Sequence, residues 1–117
     1  MNLEERIKSF AHLGETLRNS LNDNFVTNAW TGRDRSLLNT LVDNQQKNNP
    51  WFTPENVRRA ITAIAEELTE ENLIKWTNAY PRLNGKIKPV RVGIIMAGKI
   101  PLGGVQDFLS VLISGQN

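Results

Sequence analysis

Apolar residues recur every three or four positions at the start of the chain: Leu3, Ile7, Phe10, Leu13, Leu17 and Leu21. That spacing places them on one face and predicts a first helix. Glu4 and Glu5 fall in its first turn, where the helix dipole favours anions. Gly14 interrupts it at a cost of about 1 kcal/mol relative to alanine. His12 lies off the apolar face and reads as a surface histidine. The periodicity lapses over residues 22–32, which read as a loop. It returns between Asp34, a capping residue, and about Lys47, with Leu37, Leu38, Leu41 and Val42 as the stripe. Asn48-Asn49-Pro50 stops this second helix. Trp51 and Phe52 follow and are expected to fill the core where helices meet.

Thr53-Pro54-Glu55 has the chemistry of a helix start: a capping hydroxyl, a proline at the first helical position, then an acid. Val57, Ala60, Ile61, Ile64, Ala65 and Leu68 form the apolar face. Thr69-Glu70-Glu71 predicts another start, with Leu73, Ile74, Trp76 and Tyr80 packing a short helix that Pro81 ends. Asn84-Gly85 reads as a turn.

The pattern then changes. Val90 to Met96 is β-branched and mostly apolar without a helical stripe. It predicts a strand whose second half is buried on both faces. Residues 97–104 are rich in glycine and proline and read as a loop. Val105, Phe108, Leu109, Leu112 and Ile113 return to helical spacing, with Gly115 as the C-terminal cap. The expected fold class is therefore α/β: a mainly helical region over 1–88, then one strand–loop–helix unit over 89–117. The unit has no second strand to pair with the first, which points to a partner chain or to a fragment of a longer protein.

Composition narrows the chemistry. With 117 residues the chain is one domain at most, and it contains no cysteine and one histidine. Disulfides, thiolate metal sites and a cysteine nucleophile are excluded. No apolar run is long enough for a membrane span, and the N-terminus has no signal-peptide core, so a cytoplasmic protein is expected. Net charge is +2, unevenly spread. Residues 1–71 carry eight basic and eleven acidic side chains. Residues 72–106 carry Lys75, Arg82, Lys86, Lys88, Arg91 and Lys99 and no acid, which suits anions. Nucleic acid is not an expected partner: Trp76 falls on an apolar helical face, and no nucleic-acid motif occurs.

A glycine loop between a strand and a helix is a place to hold phosphate. Gly98 to Gly103 opens like a phosphate-binding P-loop, but Gly104-Val105 replaces the lysine and hydroxyl that pattern requires. The GxGxxG dinucleotide pattern is absent.

The stretch from Val92 through Met96-Ala97-Gly98-Lys99-Ile100-Pro101 to Asp107-Phe108-Leu109 resembles a known segment, V-G-I-x-M-A-G-N-I-P-L-V-G-x-H-D-F-L. That segment belongs to acyl-CoA reductases of the bioluminescence (LuxC-like) type, in the aldehyde dehydrogenase superfamily. Residues 49–57 and 73–81 are similar to its N-terminal region as well. The resemblance implies that 89–117 begins a Rossmann-like cofactor domain. It implies reduction of an acyl-CoA thioester to an aldehyde with NADPH, through a cysteine that this chain lacks. By the same resemblance, Met96, Ala97, Gly98, Ile100 and Pro101 would line the nicotinamide. Lys99 would stand where the family has an oxyanion-binding asparagine. Gly103 and Gln106 replace a bulky residue and a histidine. The expected reading is an N-terminal piece of such a reductase, inactive alone and homo-oligomeric. The alternative is a non-enzymatic helical module that self-associates through its C-terminal strand and helix.

Overall fold

The computed structural model describes residues 1–21 and 32–117. It is built from five α-helices: α1 (Leu3–Leu21), α2 (Gly32–Asn48), α3 (Pro54–Glu67), α4 (Glu70–Asn78) and α5 (Val105–Ile113), with a 3-10 turn at Pro81–Asn84 after α4. The loop expected over 22–32 lies almost wholly outside the described residues, as does the side chain of the expected cap Asp34. Helix α2 begins two residues earlier than that cap.

Two helix starts follow the sequence closely. Thr53 Oγ1 accepts from the Asn56 N–H at 3.2 Å, and Thr69 Oγ1 accepts from the Asn72 N–H at 3.2 Å. Each hydroxyl satisfies an amide that the first helical turn leaves without a partner. At the other end of α5, Gly115 follows the cap with φ +83, a conformation that glycine adopts without steric cost.

The helices enclose two apolar clusters. One gathers Ile7 of α1, Leu68, Leu73 of α4, and Leu109 and Ile113 of α5. The other gathers Val42 of α2 with Val57 and Ile61 of α3, flanked by Leu17 and Leu21 of α1 and by Phe52. Helix α1 thus lends its first half to one cluster and its second half to the other. The expected apolar face is the one that packs, with Ile7 buried and Leu3, Phe10, Leu17 and Leu21 against the clusters, but α1 also buries small and polar positions. Gly14, Thr16 and Ser20 are buried while Leu13 is exposed. The reason is the close approach of Leu68, which seats against the glycine. Arg18 fixes the same crossing, with Nη1 donating to the carbonyls of Ala65 and, at 3.4 Å, Leu68 at the end of α3. Across the other seam, Arg58 of α3 donates to Asn39 Oδ1 at 2.7 Å and Asp43 Oδ1 at 2.9 Å on α2.

The structure corrects several expectations. Trp51 is 77% exposed and fills no core, and Tyr80 and Ile74 are exposed as well. Phe52 alone of the Trp-Phe pair packs inward. The α/β class is overturned: the described residues contain helices and no sheet, so no Rossmann-like strand–loop–helix unit is present. Residues 90–96 are extended but form no strand, and Ile95, expected to be buried, is 99% exposed. The physical cause is pairing. Extended backbone becomes a strand through a ladder of partners, and this segment has one rung. Asn117 N–H donates to the Val90 carbonyl at 3.0 Å, and Val92 N–H donates to the Asn117 carbonyl at 2.7 Å. Gln116 Oε1 also accepts from Val90 N–H at 2.8 Å.

Candidate functional site

The segment singled out by sequence, 96–101, lies in the connection between the extended stretch and α5. Its backbone is turned by Pro101, whose fixed φ suits the second position of a tight turn. Gly103 N–H donates to the Ile100 carbonyl at 3.3 Å and closes that turn. Leu102, the third position, has φ +59. A left-handed leucine costs on the order of 1–2 kcal/mol, so the chain stores strain at the neck of the loop. Val105 N–H then donates to the Leu102 carbonyl at 3.1 Å and starts α5.

Glycine is required at one place here. Gly104 is buried, and a Cβ on it would lie 2.2 Å from Met96 Cγ and 2.8 Å from Met96 Cβ. The Met96 side chain therefore lies across the start of α5. By contrast, a Cβ on Gly98 would meet nothing within 4 Å, so open space lies beside its backbone. Met96, Ala97, Gly98, Lys99 and Ile100 are exposed and Pro101 is half-buried. Lys99 makes no ion pair among the described residues. The sequence-derived positions are therefore brought together as one exposed loop, as adjacent residues must be.

What the sequence did not reveal is the group that holds this loop. Asn49 Nδ2 donates to the Gly98 carbonyl at 2.9 Å, and Asn49 Oδ1 accepts from Trp51 N–H at 3.0 Å. Asn49, read as part of a helix stop and as the first residue of a resembling stretch, thus bridges the α2–α3 connection to the loop. The signal available was the resemblance itself, because Asn49 opens one of the stretches that carry it. No adjacent carboxylate or histidine joins the loop, and no group of three or more potential metal ligands occurs among the described residues.

A separate cleft of about 840 Å³ lies at the other side of α5. It is walled by the start of α1, by residues 84–87 and Pro89, and by the end of α5 with the residues that follow. Arg6 enters this wall from α1. Its Nε donates to the Ile113 carbonyl at 2.9 Å and its Nη1 to the Met1 carbonyl at 2.6 Å. Two smaller hollows border Trp76, one of about 340 Å³ with Tyr80 and Ser110 and one of about 240 Å³ with Leu68 and Leu109. No described helix is long and apolar enough to cross a membrane. In comparisons with known proteins, no family model, no curated protein and no solved structure matches this chain.

Proposed function

We propose that this chain is the N-terminal part of a cytoplasmic, homo-oligomeric NADPH-dependent reductase that converts acyl-CoA thioesters to aldehydes. The reading rests on the ordered resemblance over residues 49–115. The observation that supports it is the Asn49–Gly98 hydrogen bond, which ties two separate stretches of that resemblance into one surface. The loop has the character a cofactor ring needs: an accessible backbone at Gly98, apolar Met96 and Ile100 on either side, and no acid to repel a phosphate. NADPH bound there would supply a hydride. Residues 96–98, Ile100 and Pro101 would orient its ring, and Lys99 would place a cation near the developing oxyanion. A charge aimed at that oxygen is worth several kcal/mol in the transition state, but lysine reaches from a longer stem than asparagine. Without a cysteine the acyl group has no attachment here, so the chain is inactive by itself.

The test is to read the coding sequence past the codon for Asn117 and assay its full product for NADPH-dependent aldehyde formation from acyl-CoA. A continuing frame with a cysteine nucleophile, and activity that rises with Lys99→Asn, supports the proposal. An immediate stop codon overturns it. The second reading, a self-associating helical module, is favoured by one specific feature: Val90, Val92, Ile95, Met96, Ile100 and Leu102 are all exposed apolar side chains within thirteen residues. Sedimentation of the chain distinguishes it, since a module forms one defined oligomer.

A further inference from the structure

The guanidinium of Arg6 is a buried cation without an ion-pair partner among the described residues. Arg6 is 9% exposed, and among the described residues its Nη2 is a buried nitrogen with no hydrogen-bond partner. Its other bonds go to neutral carbonyls, Ile113 and Met1. A buried charge left in this state is destabilising unless an anion compensates it. Among the described residues no Asp or Glu side chain lines the cleft beside Arg6. The charged side chains that line it, Arg6 and Lys86, are both basic. Asn2 and Gln116 bring amide nitrogens, and the Gln116 oxygen is already taken by Val90 N–H. Ser9, Asn84 and Asn117 add polar groups, and Phe10, Ile87 and Leu112 supply an apolar part of the wall.

We infer that this cleft binds an organic oxyanion, a carboxylate or phosphate monoester on an apolar body, with Arg6 as its fork and Lys86 as a second cation. The planar guanidinium suits either head group, because its paired N–H groups match two oxygens at once. The volume of about 840 Å³ exceeds what a bare inorganic ion fills, and the apolar wall takes the body. Nη2 is closed off from solvent, and Met1 and Asn2, which precede α1, line the same cleft. An anion reaches Nη2 by displacing them and takes over the bond that the Met1 carbonyl now accepts. The inference stands on residues that the proposed reductase loop does not use, so either can fail alone.

The experiment is an amide NMR titration of the chain with phenyl phosphate, benzoate and, as the uncharged control, benzyl alcohol. Binding of either anion, with shifts confined to residues 1–10, 84–87 and 112–117, is expected; which of the two binds more tightly separates a phosphate from a carboxylate site. Arg6→Lys, which keeps the charge but loses the fork, should weaken binding about tenfold, or 1.4 kcal/mol. Lys86→Gln should weaken it severalfold, and being exposed it tests the site even where the Arg6 variant does not fold. Lys47→Gln, an exposed cation on α2 outside the cleft, should change nothing. Benzyl alcohol binding equally well, no shifts at all, or equal losses in Lys47→Gln and Lys86→Gln each overturn the inference.

Discussion

Replacing Gly14 by alanine sets helix propensity against packing, and the structure says which prevails. In an exposed helix the change stabilises by about 1 kcal/mol. At this position the new Cβ would lie 2.1 Å from the Leu68 carbonyl oxygen and 2.6 Å from Leu68 Cβ. Carbon atoms pack at about 3.5–4.0 Å, so α1 must retreat from the end of α3 by about 1 Å. The obstructing oxygen belongs to backbone, and no rotamer change relieves it. Leu68 is 2% exposed and sits in the larger cluster, and the Arg18 bonds to the Ala65 and Leu68 carbonyls lengthen with the retreat. Overpacking costs about 1–3 kcal/mol, with backbone clashes at the upper end. Subtracting the propensity gain leaves a net loss of about 2 kcal/mol. For a domain of this size that lowers Tm by about 10 °C. Thermal unfolding followed by circular dichroism measures it directly. A Gly14→Ala variant with unchanged or raised Tm would refute the close approach of α1 and Leu68.

The remaining predictions follow from single contacts. Thr53→Ala and Thr69→Ala should each lose about 1 kcal/mol in urea unfolding, because each hydroxyl caps a helix start. Leu109→Ala should lose about 2–5 kcal/mol by opening a cavity among Ile7, Leu68, Leu73 and Ile113, whereas Leu41→Ala, at an exposed position of the expected stripe, should lose under about 1 kcal/mol. The Lys8 hydrogen bond, then its charge, holds the Glu4 carboxyl below the usual carboxylate range. A lowered folded value means that the pair's stabilisation is present above the ordinary Glu range and is lost as pH falls through the folded value. Lys8→Gln should therefore move the Glu4 titration midpoint, read by NMR, upward.

The helices were legible because their signals are local. Thr53 and Thr69 carry capping chemistry within four residues of the bond they make, and the periodicity of α3 and α5 is set by neighbours in the chain. The extended stretch misled because a strand is not a local object. Val90 to Met96 has strand chemistry, but only residues 90–92 meet a partner, at Asn117. Gly14 was legible as a propensity cost and not as a docking point, since its contact lies 54 positions away. Trp51 was read by its hydrophobicity, yet its neighbour Phe52 took the available space. At the candidate loop, motif residues were legible by resemblance, while the Asn49 bond spans a separation of 49 residues that no periodicity records.

The double membership of α1 carries a consequence for synthesis. Helix α1 leaves the ribosome before α3, α4 and α5, which claim its apolar positions, and the Arg6–Ile113 bond spans 107 positions. At roughly 5–20 residues per second, translation separates those two ends by about 5–20 s. Through that interval α1 can close its seam with α3 but not the one with α5. The nascent chain therefore carries Ile7 and Phe10 uncovered until α5 emerges, and during that interval a chaperone that reads short apolar stretches has its substrate.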